Sequence, residues 1–277
     1  MTMEEYQVSR GRVFLQFFCL CVGSSIVYHV PYNMAGYLDL ILVGLRINNT
    51  QWGLMRGAFS TTALITYLPG GWVADRFSAR KLLALSMAAN GVLSLWFVTF
   101  PSYGICVMLF VLMGIFSTLT FWSALIKCTR QFSRGLGEGK AFGGLEGGRS
   151  LVGLGFGTVM TAVFAALGGD MLALRINVIV YAMLQLVVGV LVLIAFREEQ
   201  IEAGAKGDNF AIIVECLKHP GVWMITLIVF GVYTSSLSSS YLNPYFTRVL
   251  GTSMVFAVAM NTVRGYFRPL GAFAGGF

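Results

Sequence analysis

Long apolar runs separated by short, base-rich polar segments fill the chain from Val13 onward. Runs near or above the roughly 20 residues that cross a bilayer as a helix lie at 13–33, 51–73, 81–100, 103–126, 142–167, 176–196, 222–246 and 253–277. Each is predicted to be an α-helix, because a lone strand in lipid would leave its backbone donors and acceptors without partners. The fold class that follows is all-α, a polytopic membrane protein. The longest polar break runs from Arg197 to His219 and contains "EEQIEAGAKGDN", which reads as a linker. Beyond it Asp208 can cap a helix, and "FAIIVECLKH" has the short amphipathic pattern of an interfacial helix.

Composition agrees with this pattern. Of 277 residues, 57% are hydrophobic and 11% charged, against about 45–50% and about 25% in soluble domains. Twelve of the nineteen lysines and arginines precede the first run or fall in the 2/3, 4/5 and 6/7 loops, whereas the other side holds only Arg46, Arg175 and Arg248. That asymmetry predicts a cytoplasmic amino terminus, and Arg10 and Arg12 then precede a retained first helix rather than a signal peptide. The net charge of +7 is thereby explained by topology, and no nucleic-acid partner is expected. Cys19, Cys21, Cys106, Cys128 and Cys216 form no CxxC pair and no metal-ligand cluster with the two histidines. No cofactor, metal or disulfide framework is predicted.

One charged segment between two apolar runs, "GGWVADRFSARK", carries Asp75, Arg76, Arg80 and Lys81 within twelve residues. The Gly70–Gly71–Trp72 phrase before it returns 205 residues later as Gly275–Gly276–Phe277, at the same place in the sixth run after it. Such an offset is what two repeated halves of like orientation produce. In Gly71, Asp75, Arg76, Arg80 and Lys81 the chain resembles the major facilitator superfamily, whose signature in the loop between helices two and three is a Gly, three residues, Asp-Arg and further bases. Ser78 and Ala79 stand where that signature usually has Gly and a base. Within the superfamily, the pattern from "FWSALIKCTRQF" to "AFGGLEGGRSLVG" is similar to bacterial anion and sugar-phosphate-like porters, which implies an inner-membrane location. The fourth run lacks the arginine that marks many proton-coupled drug exporters.

The resemblance implies a six-helix N-terminal bundle (1–197), a cytoplasmic linker with a short amphipathic helix (198–221) and the first two helices of a second, repeated bundle (222–277). It implies twelve helices in all, so that the chain stops within the eighth. It also implies that Gly71, Asp75, Arg76, Arg80 and Lys81 form a gating loop that latches the halves on the cytoplasmic side. A simple topology anchor explains the bases but not the Gly-to-Asp spacing.

Four bases, Arg56, Arg149, Arg264 and Arg268, fall inside the runs, and Glu146 is the one acid there. Ionisable groups at membrane depth are functional candidates. Arg264, twelve residues before Gly276, is placed about 18 Å from the inner boundary, and Arg56 about 22 Å up the equivalent helix. Facing a common cavity, they would attract an anion and bind carboxylate or phosphate through paired donors; Arg268 lies one turn from Arg264 on the same face. Snorkelling to the headgroups is the alternative for Arg56. Glu146 and Arg149, three apart, read as an ion pair or as a site of proton coupling.

Tyr28, His29, Tyr233, Tyr241, Asn243 and Tyr245 can line the cavity or belong to an interfacial aromatic belt. Pro31, two residues after His29, marks a kink. Glycine pairs four apart in the fifth run (143/147, 144/148, 153/157) predict close helix packing. The expectation that follows is a secondary transporter, not an enzyme, that moves a small organic or inorganic anion by alternating access, by symport with a proton or a sodium ion. A membrane-bound binding or regulatory protein, or an inert truncated product, is the other reading.

Overall fold

The computed structural model describes residues 10–196, 215, 217–238, 241–266 and 274, without the side chains of 10, 133–136, 235–238 and 264. Arg268, the Gly275–Gly276–Phe277 phrase and nearly all of the linker lie outside the described residues. Those described are mostly helical, with no strand among them. The helices are α1 (Arg10–Ile26), α2 (His29–Tyr32), α3 (Leu38–Leu45), α4 (Asn49–Arg76), α5 (Ala79–Phe97), α6 (Tyr103–Ile115), α7 (Ser123–Leu136), α8 (Glu138–Ala166), α9 (Met171–Ala195), α10 (Pro220–Ser238), α11 (Leu242–Pro244) and α12 (Met254–Gly265).

Helix occupies part of every predicted run. Among the described residues, the segments 11–45, 103–132, 138–166 and 171–195 are each long and apolar enough to cross a membrane, and 220–234 and 254–263 are shorter apolar helices. With 28 residues, α4 is about 42 Å long and more polar.

Two run ends differ from expectation. The first run does not stop at 33: after Ile26 the path continues through α2, a 3-10 turn (Asn33–Tyr37) and α3 to Leu45. Pro31 lacks an amide hydrogen and breaks the ladder, but the chain resumes its course, tied to α9 on both sides of the kink. Gln185 Nε2 donates to the Ile26 carbonyl at 2.8 Å, and Asn177 Nδ2 donates to the Tyr37 hydroxyl at 3.2 Å. The fourth run extends beyond 126, through a π-helical turn (Phe116–Trp122) into α7, which ends at Leu136. Its last two turns are polar but keep helical spacing, and the stop is Gly137, whose φ of 83° suits glycine.

Side chains from distant helices also satisfy helix ends. Arg12 Nε and Gln16 Nε2 both donate to the Ala195 carbonyl at 3.0 Å, closing the end of α9. Asn48 and Gln51 form a reciprocal capping box at the start of α4, and Asp170 accepts from Ala173 N at 2.9 Å to start α9.

The first nine helices pack as one bundle, with α5 on α9, α4 on α6, and α1 on α8 and α9; α12 lies against α8. One buried cluster around Leu20, Leu83, Met87 and Phe121 fills the end that carries the basic loops. A second, around Met34, Trp52, Phe97, Phe110 and Phe164, fills the opposite end. Small residues permit the closest approaches. A Cβ on Gly148 would stand 2.7 Å from Cys21 Sγ and one on Gly153 2.7 Å from Ser25 Oγ, where α8 meets α1, as expected; at Gly157 it would meet nothing within 4 Å.

Candidate functional site

The π-helical turn Phe116–Trp122 shapes the centre of the bundle. A π turn shifts the ladder by one residue and re-aims the side chains that follow. Here it offers the Ser117 carbonyl to the Tyr28 hydroxyl at 3.2 Å and the Phe116 carbonyl to the Ser86 hydroxyl at 2.7 Å, and it places Trp122 under a guanidinium. Arg149 Cζ lies 5.8 Å from the Trp122 ring centroid. Arg149 Nη1 donates to Glu146 Oε1 at 3.0 Å, with the arginine side chain 14% exposed and the glutamate 41%. Tyr28 and Tyr67 each stand within electrostatic reach of Arg149, Tyr32 and Tyr233. A cation on α8 thus stands within reach of Tyr28, just before α2, and Tyr67 of α4, and Tyr32 of α2 and Tyr233 of α10 are within reach of those two phenols.

Arg149 is eleven residues beyond the start of α8 at Glu138, about 16 Å in, so this cluster lies near mid-depth of a core about 30 Å thick. Between it and the basic end is a cavity of about 520 Å³, whose wall includes Tyr67 and Trp122 at one limit and Gly71, Asp75, Lys127 and Arg130 at the other. A Cβ on Gly71 would meet nothing within 4 Å, so that glycine borders open space. The tight position is Gly70, where a Cβ would collide with Ser123 Oγ and lie 3.3 Å from the Thr118 carbonyl.

The turn between α4 and α5 is only Phe77 and Ser78. Asp75 and Arg76 therefore sit on the last turn of α4, and Arg80 and Lys81 on the first turn of α5. Arg76 lies flat over Trp72, 3.9 Å from the ring centroid. Lys127 Nζ donates to the Ala74 carbonyl at 2.9 Å, where a cation suits a helix C-terminus. Ser78 Oγ and Arg80 Nε are buried without a hydrogen-bond partner.

At the opposite end a second cavity, of about 360 Å³, brings Arg56 and Tyr241 together with Trp52, Asn49 and Arg248. Of the residues expected at a binding site, then, Arg56 and Tyr241 share this far pocket, whereas Tyr28 is within reach of Arg149 at the centre and Tyr233 within reach of Tyr28 and Tyr67. Arg264 is on α12 beside the close contact of Gly265 with Leu154 of α8, in a helix tied to α8 by Thr161–Thr262 at 2.9 Å and Thr158–Tyr266 at 3.1 Å. Tyr67, Trp122 and Arg248 escaped the sequence reading. An aromatic near a span end has the pattern of an interfacial belt, and Arg248 counted only as a loop base. His29 is at the kink, buried, with Nε2 2.8 Å from Asn177 Oδ1 and its ring stacked on Tyr181 at 3.5 Å.

A family model described as Major Facilitator Superfamily matches residues 13–275, and the chain belongs to that superfamily of membrane transporters. It is an integral, multi-pass membrane protein. It is similar to two Escherichia coli (strain K12) proteins, "Inner membrane protein YqcE" (28% identical, over 88% of this chain and 58% of that protein) and "Inner membrane protein YihN" (22%, over 89% and 60%). It also resembles an "Uncharacterized protein MG294 homolog" of Mycoplasma pneumoniae (28%, over 90% and 58%). The chain spans about three-fifths of the length of these relatives.

Proposed function

We propose that the whole protein moves a small organic or inorganic anion across an inner membrane by alternating access between two repeated helical halves. The observation that carries this reading is the Arg149 guanidinium, 14% exposed, held at mid-depth near Trp122 and within electrostatic reach of Tyr28 and Tyr67, two of whose neighbours, Tyr67 and Trp122, line the cavity toward the basic end. A charge at that depth costs several kcal/mol unless it is paired. Glu146 supplies the pairing when the site is empty, through one of the three guanidinium nitrogens. A carboxylate or phosphate entering from the cavity would take paired donors from the same fork, with phenol hydroxyls for its remaining oxygens.

Arg264, on the helix that packs against α8, and Arg268, which follows it in the sequence, are the further cations of this reading, and Arg56 meets the anion at the far end. A proton on Glu146 would release Arg149 for the passenger, so symport with a proton suits the pair. The excess of bases at one end supports a cytoplasmic position for that end. There Gly71, Asp75, Arg76, Arg80 and Lys81 serve as the gate, and the unpartnered Ser78 hydroxyl and Arg80 Nε are groups onto which the second half can close.

Uptake of radiolabelled anions into vesicles carrying the whole protein tests the proposal. Arg264→Ala abolishes uptake while insertion into the membrane is kept. Unchanged uptake in that variant and in Arg149→Gln removes the anion reading.

A further inference from the structure

The cavity at the end opposite the basic loops has no part in the central site just described. Asp39, in the first turn of α3, is held there by a segment that follows α10. Arg248 Nη2 and Nε donate to Asp39 Oδ1 at 2.6 and 2.9 Å, and the Thr247 hydroxyl donates to Oδ2 at 2.8 Å. Asn243 Nδ2 donates to the Gly36 carbonyl at 2.8 Å. These bonds shut this end by joining the first and seventh apolar runs.

The closure is made of exchangeable parts. The Arg248 and Asp39 side chains are 41% and 33% exposed, so dissolved ions reach them, and exposed pairs of this kind add little to stability. Arg56 lines the same 360 Å³ pocket as Arg248. Among the described residues it has no acidic partner and stands 5.9 Å from the Tyr32 ring centroid. The pocket is therefore lined by two guanidinium groups, of which Arg248 is paired with Asp39. A carboxylate or phosphate offers Arg248 the same kind of charge-assisted bonds that Asp39 does and engages Arg56 as well.

We propose that this pocket is an anion-recruitment site, in which an incoming carboxylate or phosphate displaces Asp39 from Arg248 and so opens the end that the pair holds shut. The inference rests on the anion reading above and adds to it a second site and a trigger. Arrival of the passenger removes the bond that excludes it. The exchange keeps the number of charged bonds to Arg248 nearly constant and leaves Asp39 to water.

Two cysteine reporters test this in vesicles carrying the whole protein. The described native cysteines 19, 21, 106 and 128 are buried. A cysteine at Gly53, where a Cβ meets nothing within 4 Å, sits in the pocket wall. Inorganic phosphate, sulfate, a sugar phosphate and a small carboxylate are the probes. At least one of them slows labelling of Gly53→Cys by an anionic thiol reagent by about fivefold or more, and the protection is lost in Arg248→Gln. The second reporter pairs Gly36→Cys with Asn243→Cys, since a Cβ on Gly36 lies 3.2 Å from Asn243 Nδ2. Its oxidative cross-linking is slowed by the same probe, and by Asp39→Asn without any probe.

Protection that persists in Arg248→Gln, or cross-linking indifferent to both Asp39→Asn and the probe, overturns the recruitment site. Thermal unfolding of the same proteins separates the two ideas. Stabilisation by a probe that is equal in the native protein and Arg248→Gln overturns the recruitment site and leaves the central one standing. No stabilisation by any of the four overturns both.

Discussion

His29 and Asn177, 148 residues apart, share a buried hydrogen bond of 2.8 Å from Nε2 to Oδ1. The bond fixes the kink in the first apolar run against α9, and Asn177 passes the connection to Tyr37 at 3.2 Å. Replacing Asn177 by Ala leaves a buried ring N–H without an acceptor. The expected loss is about 1–3 kcal/mol, measured as a lower midpoint of thermal unfolding in detergent; an unchanged midpoint would show that the kink is held by packing on Tyr181 alone.

Close helix contact makes a separate prediction. A Cβ at Gly114 would be 2.8 Å from the Phe59 carbonyl and 3.1 Å from Thr62 Cβ, whereas one at Gly57 would meet nothing within 4 Å. Gly114→Val should therefore destabilise the α4–α6 contact by about 1–3 kcal/mol. Gly57→Ala should be neutral or slightly stabilising, because alanine is the better helix former. Equal effects of the two substitutions in denaturant titrations would contradict this packing.

Asp75 borders the cavity at its basic end, beyond Tyr67 and Trp122, and is assigned to the gate rather than to the binding site. Asp75→Asn should slow uptake roughly tenfold, a shift of about 1.4 kcal/mol, while anion-induced thermal stabilisation is kept. Loss of both together would move Asp75 into the binding site.

Much of the helical plan was legible in the chain, because lipid permits few alternatives to an apolar helix. What the sequence hid came from tertiary contact. The first run was bounded at 33, with Pro31 marking a kink. Gln185 and Asn177, far along the chain, supply the bonds that let it continue. Glu146 and Arg149 were readable as a pair from their spacing. Their neighbours Tyr67 and Trp122 were not, because nothing local distinguishes a cavity-facing aromatic from a lipid-facing one. Arg248 counted only as a loop base and Asp39 drew no reading, because no periodicity connects residues 209 apart. The signature Gly71 was visible in the sequence, but that its neighbour Gly70 makes the tight contact is a matter of which face meets α7.

The most direct test of the central claim is the unfolding midpoint of the purified whole protein across a panel of anions, compared between the native protein and Arg149→Gln. At a hundredfold excess over its dissociation constant a true passenger stabilises by about 2.7 kcal/mol. At least one carboxylate or phosphate compound should raise the midpoint of the native protein clearly more than that of Arg149→Gln, which keeps only the far pocket. An anion that stabilises both equally, or a panel that stabilises neither, would contradict the account.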